Sequence, residues 1–403
     1  MPQNVFDTIR SNDFERLKAD LTAGVDLSVA ESGGVTPLMA AAVNAPADVL
    51  RQMIRCGADA NATDENGLTA LFFAAGSNPD PQSVAALING GADANARDNR
   101  GATPLMYAAM MNPDPETADR LIENGARISD RDKDGMTALM WAAKENPNPA
   151  VCALLFDCTA DISALENNFG ATALMSAAKE NPNPAVVTLL IAMGANVNSA
   201  TKNGITALML ACGKNKNPAV AEGLLAGGAD VRRTDKDGMT ALMYAAQDNI
   251  NPAVIGMLVK HGADVNAKTG KGATALLLAA TRNPAPAVIH ALVGFGANIR
   301  DRDGVLSAPA VFWAASNNPN PRVLDALLIE GASVHERLDG KTLLMAAAGG
   351  NVNPAVAGLL LERGADPRAK DSAGATALDY AKNNPAAIGT ELYWELDRAV
   401  HSR

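Results

Sequence analysis

At 403 residues the chain is long enough for two or three ordinary globular domains, yet 4% of it is aromatic and 48% apolar, a balance that suits closely packed helices. A net charge of −10 and a pI near 5.0 argue against general affinity for nucleic acid or an anionic membrane, since both reward basic patches. No apolar run approaches the roughly 18 to 20 residues that a membrane-spanning helix needs.

The opening stretch MPQNVFDTIRSNDFERLK lacks the apolar core of a secretion signal, so a cytoplasmic location is expected. Residues 4–30 read as a charged helix pair followed by a turn. Beyond them the chain repeats itself every 33 to 35 residues. The anchor is Thr, then Ala, Pro or Leu, then Leu, at Thr36, Thr69, Thr103, Thr137, Thr172, Thr206, Thr240, Thr274, Thr342 and Thr376, with Pro309 replacing Thr in one copy, which makes eleven copies.

Each copy reads approximately GxTALMxAAxxNPNPAVxxLLxxGADVNAxDxx. Thr is a good N-cap, and Pro37 or Pro104 after it occupies the first helical position, where a missing donor costs nothing. A first helix, A, is therefore expected to start at each Thr, its small Ala pair (Ala142 and Ala143) letting neighbours approach to the roughly 8 to 10 Å of packed helices. Val151, Leu154 and Leu155 supply an apolar stripe for a second helix, B. Gly194, Gly228 or Gly262 provides a left-handed C-cap, and segments such as Asp132 to Gly135 have turn chemistry. The chain closes on the charged helix TELYWELDRAVHSR.

Between the two helices stands a double-proline element, as in KENPNPAVCALL (144–155). Asn falls nine residues after the anchor in nine copies, from Asn78 to Asn351, and Pro falls twelve after it. The residue before the second Pro is Asp or Asn in eight of the nine, which makes it an N-cap with Pro first in helix B. The first Pro disfavours helical geometry at the Asn before it and ends helix A. Copies about 10 Å apart cannot join Asn to Asn side chains, because a hydrogen bond spans about 3 Å. Each Asn side chain is expected to bond backbone groups of its own or an adjacent linker.

The pattern resembles the ankyrin repeat, whose T-P-L-H-x-A signature and period it matches along the whole chain. The resemblance implies an all-α fold, an ankyrin-repeat α-solenoid of about 11 to 12 helix-turn-helix repeats, each with a hairpin-like loop and with capping ends. One solenoid domain over 1–403 is expected: N-terminal capping helices in 1–33, ten stacked repeats in 34–373, and a C-terminal capping repeat in 374–403. No single copy can bury its apolar face alone, so stability must come from stacking on neighbours. Two departures stand out. Met replaces the family's His at Met39, Met106, Met140, Met175, Met209, Met243 and Met345, and N-P-x-P replaces its usual interhelix link.

The resemblance further implies a non-catalytic scaffold that binds a protein or peptide along its concave groove and hairpin tips. The alternative is a small-molecule or carbohydrate-binding solenoid. Six of the fifteen aromatics fall four residues after the anchor: Phe73, Tyr107, Trp141, Tyr244, Trp313 and Tyr380. They either fill space between helices or form a groove stripe of interface anchors. Met110 and Met111 extend it, where other copies carry polar pairs, so Phe73, Tyr107, Met110, Met111 and Trp141 are expected to form one patch. Two irregular copies add Phe169 at a hairpin tip and Trp313 beside Pro309. The four histidines are scattered, and no nucleophile or metal motif is present. Asp130, Asp132 and Asp134 begin like a calcium loop, but Trp141 stands where the bidentate Glu is needed. Cys56, Cys152, Cys158 and Cys212 lack metal spacing and are expected to be buried free thiols. No enzyme activity, metal or cofactor is expected, and no nucleic-acid or membrane partner; a monomer is.

Overall fold

The computed structural model describes residues 5–401. Among these are twenty-four helices and one short ribbon, Arg337–Leu338 paired antiparallel with Lys341–Thr342. The first four and last two residues of the expected caps lie outside the described residues. Two compact units divide the chain, one ending at Lys202 and the other beginning at Asn203. The first holds the cap helices Val5–Arg10 and Phe14–Thr22 and five helix-turn-helix repeats between Pro37 and Ala192. The second holds six, from Ala207 to the closing helix Glu391–His401.

Helix A begins where the anchor Thr requires. Thr137 is extended (φ −96, ψ 167), and its hydroxyl accepts the N–H of Met140 at 3.3 Å, satisfying one of the helix's orphan donors. Asn146, before Pro147, leaves the helical region at ψ 121 and ends the helix Ala138–Glu145. Asn148 then caps the helix Pro149–Asp157, its side-chain oxygen accepting from Ala150 N at 3.0 Å. Asp114, Asn183, Asn217, Asn251 and Asn320 do the same in their copies. Ala285 has no acceptor, and its helix starts without a side-chain cap.

The packed face follows from the same periodicity. Leu139, Met140, Ala142 and Ala143 of helix A and Val151, Cys152 and Leu155 of helix B are buried, each large residue contributing roughly 1.5–3 kcal/mol only when a neighbouring repeat covers it. Leu154 is half-buried, and Cys152 takes a buried place instead. All four thiols are free. Cys152 and Cys212 are buried, whereas Cys158 is partly exposed and Cys56, at the C-cap of the helix Ala47–Arg55, faces solvent.

Two ladders fasten repeat to repeat. On the hairpin side, a backbone bond crosses most junctions, such as Asn99 N to Asn66 O, Lys133 N to Arg100 O and Asn167 N to Asp134 O in the first unit, and Lys236 N to Asn203 O and Gly270 N to Asp237 O in the second. On the linker side the asparagines act. Asn146 Nδ2 donates to Ala109 O at 3.0 Å and to the main-chain carbonyl of Asn112 at 2.7 Å, while its Oδ1 accepts from Asn148 N at 2.9 Å. Asn78, Asn112 and Asn181 repeat the pattern in the first unit, and Asn283, Asn318 and Asn351 in the second. The expected bonding to backbone is thus present, and it adds a direct link: each of these side-chain amides reaches the main chain at the equivalent position of the previous copy, an Asn except for Ala45 ahead of Asn78. Asn384 joins the series, hidden from a count of nine because it lies eight residues after Thr376.

Asn146→Ala removes two donors and an acceptor from buried backbone groups, and is expected to cost about 2–4 kcal/mol in urea unfolding. Asn146→Asp is expected to cost at least as much, because a carboxylate cannot donate to the two carbonyls. A second outcome concerns Thr159, which stands where regular copies carry Gly and adopts φ 75. That conformation is strained for a β-branched residue. Thr159→Gly is expected to raise stability by about 1 kcal/mol, read as a higher unfolding midpoint.

Candidate aromatic site on the helix A face

Four residues after the anchor, one turn into helix A, a side chain can reach the hairpin tip of its own repeat. Tyr107 Oη donates to Asp98 Oδ2 at 3.1 Å, and Trp141 Nε1 to Asp132 Oδ2 at 3.0 Å. Tyr244, Trp313 and Tyr380 donate likewise to Asp235, Asp303 and Asp371 at 2.7, 2.8 and 2.9 Å. The acids also hold the tips closed: Asp132 Oδ1 accepts from Asp134 N and Met136 N. Copies without an aromatic here carry Glu31, Glu166, Thr201, Thr269 or Arg337 at the hairpin position instead of Asp. Every Tyr or Trp of this position is therefore a clasp between helix and hairpin, and each of these residues stays half-buried.

In the first unit two clasps enclose a cavity of about 290 Å³, between Tyr107, Met110 and Trp141 and bordered by Asp98, Asp132, Asp134, Arg100 and Lys144. Phe72 packs edge-on against Tyr107 with ring centroids 5.1 Å apart. Lys144 Nζ sits 5.0 Å from the centre of the Trp141 ring, a cation–π contact, and pairs with Glu145 and Glu180. Burial, then the charge and hydrogen bond of Asp98, push the Tyr107 phenol from 10.0 up to about 12. Burial and the bond to Asp235 raise Tyr244 in the same direction.

The family model described as "Ankyrin repeats (3 copies)" matches residues 7–98, 71–166, 146–235, 208–303 and 311–393. The chain belongs to the ankyrin-repeat family. A solved structure, the human ASB11 ankyrin repeat domain, is 26% identical to this ankyrin-repeat chain and aligns over 57% of it and 98% of its own length, with a TM-score of 0.49. No curated protein sequence matches significantly. Ankyrin repeats are generally protein–protein interaction modules and typically non-catalytic. No described helix is long and apolar enough to cross a membrane.

The departure from the ankyrin signature at Met has a structural answer. The Sδ atoms of Met39, Met209, Met243 and Met345 lie 3.4 to 3.5 Å from the N–H of the preceding anchor Thr, so a weak sulfur acceptor closes a capping box where the family's His would stand.

Of the five residues expected to form one patch, Tyr107, Met110 and Trp141 line the cavity, whereas Phe73 and Met111 do not. Met111 is 53% exposed and lies over Gly76 of the preceding repeat, with Sδ 3.5 Å from where a Cβ on that glycine would be. Phe73 is half-buried and has no polar edge to clasp Asp64. Phe169 occupies a hairpin tip and is 64% exposed. Tyr244 and Trp313 are half-buried in the second unit. The acids of the calcium-like string are engaged, Asp130 with Arg97 at 2.9 Å and Asp132 with Trp141. Sequence reading passed over the Asp partners, although their nine-residue spacing from each Tyr or Trp, ten at Trp313, was available by comparing copies.

Because the folded Tyr107 phenol titrates above its ordinary value, the stability it contributes is complete below about pH 10 and lost as pH rises through about 12. Tyr107→Phe is expected to flatten part of that alkaline limb in unfolding curves, and to remove one late-titrating phenolate from ultraviolet titration.

Proposed function

We propose that the protein is a non-catalytic scaffold whose helix A faces and hairpin tips bind a protein or peptide partner, with the Tyr107–Met110–Trp141 cavity as a principal contact. The clasped aromatics carry this reading. Their polar edges are satisfied internally, so their ring faces are held in place, and a partner meets large rigid surfaces at low entropic cost. The alternative is a small-molecule or carbohydrate ligand, for which Asp134, Arg100 and Lys144 border the same cavity while Asp98 and Asp132 already accept from Tyr107 and Trp141.

Affinity capture with mass spectrometry, comparing the wild type with Trp141→Ala and Met110→Glu, tests the reading. A partner retained by the wild type and reduced at least about tenfold by both variants, with their melting curves still cooperative, is the expected result. A partner indifferent to every substitution on these faces would sink it.

A further inference from the structure

In the second unit lies a separate cavity of about 300 Å³, formed by Ala273, Leu277, Leu278, Val305, Leu306 and Trp313. A longer hairpin creates it. Regular tips close over four residues, as Asp132 N to Met136 O, whereas Asp303 N reaches Ala308 O, five residues on. Ser307 takes up the extra length at φ 54. Val305 and Leu306 occupy positions where a regular tip such as Asp132 to Gly135 has Asp and Gly, and they stand 68% and 53% exposed.

The exposed pair is held firmly. The Asp303 carboxylate accepts from the N–H groups of Val305, Leu306 and Ala308 and from the Trp313 indole, at 2.6 to 3.1 Å. Gly304 N donates to Lys271 O at 2.9 Å, and a Cβ on Gly304 would meet that oxygen at 2.9 Å, so the two hairpins pack backbone to backbone. A rigid tip that keeps two aliphatic side chains in water beside an apolar cavity is the signature of a contact surface.

Local charge specifies the contact. Residues 268–313 carry five Lys or Arg and two Asp in a chain of net charge −10. Lys268 pairs with Asp301 and Arg302 with Glu336. Lys271, on the cavity wall, is in no ion pair among the described residues. Asp303 already accepts from four donors, so its lone pairs are taken up within the tip.

We propose that this cavity receives one bulky aliphatic or aromatic side chain from an extended protein segment whose flanking residues are acidic and pair with Lys271. The inference rests on the scaffold reading above and names the chemistry of one partner. Apolar burial in a preformed pocket supplies affinity, and the unpaired Lys271 ammonium, in a locally basic stretch, supplies selection between acidic and basic segments.

Fluorescence anisotropy with a fluorescein-labelled octapeptide, DEDLFDED, titrated with the full chain, tests it. Saturable binding is expected, at least about tenfold weaker for KRKLFKRK and for DEDSSDED. Leu306→Ser and Lys271→Glu, both at solvent-exposed side chains, are each expected to weaken binding about tenfold at unchanged melting temperature. Equal binding of the basic peptide, indifference to Leu306→Ser, or no binding at about 1 mM protein would overturn the proposal. So would self-association that Leu306→Ser abolishes, or anilinonaphthalene sulfonate bound at Leu306 and not displaced by DEDLFDED; these outcomes assign the cavity to a second copy or to a free lipophile. Such failures leave the scaffold reading standing, because Trp141 and Met110 report on it from the other unit.

Discussion

The constraint on which the other features depend is the hydrogen bonding of the interhelix asparagines. The double proline that ends one helix and starts the next strips the linker of donors, leaving buried carbonyls that regular secondary structure cannot satisfy. Asn carries both functions in one short side chain. Its amide serves the carbonyls of the preceding repeat and its oxygen serves the linker of its own, as at Asn146 with Ala109, Asn112 and Asn148. Neither Asp nor Ala can do both, so the column ties the termini of consecutive A helices to one another within each unit.

With the linker side fastened by side chains and most of the hairpin side by backbone bonds, a repeat such as that of Trp141 is clamped at both ends of its helices. Aromatic residues on the helix A face then become useful in two ways. The clasp of Tyr107 on Asp98, or Trp141 on Asp132, braces the hairpin that carries the second ladder. The same clasp holds in place a residue that stays half-buried. Structural support therefore falls to the same side chains that the scaffold proposal assigns to partner contact, so filling space and forming a groove stripe are compatible roles for them.

The two irregular hairpins show what happens when this system is relaxed by one residue. At Glu166 the longer acid spans the enlarged tip and accepts from Asn168, Phe169 and Ala171. At Asp303 the acid is short, but Ser307 turns left-handed and the carboxylate still gathers four donors. Both tips project a large apolar residue, Phe169 or Leu306, at the position where regular tips have Gly. The second hairpin, beside Leu277, Leu278 and Trp313, has an apolar cavity under it.

Local chemistry was legible in the chain: Thr caps, Asx–Pro starts, left-handed glycines and the apolar stripe are each decided within one repeat by dihedral preference and periodicity, so helix boundaries and the repeat fold followed directly. The termination of helix A at Asn146 belongs to this class, as does the exposure of Phe169 at a tip. The tertiary structure alone decided which carbonyls the Asn column serves, that Cys56 faces water while Cys152 does not, and that Tyr107, Met110 and Trp141 meet in a cavity that Phe73 and Met111 do not line. These depend on how one repeat is set against the next. A shift of an ångström or two there changes which atoms touch while leaving every local preference satisfied, and a hydrogen bond or a cavity wall does not survive such a shift.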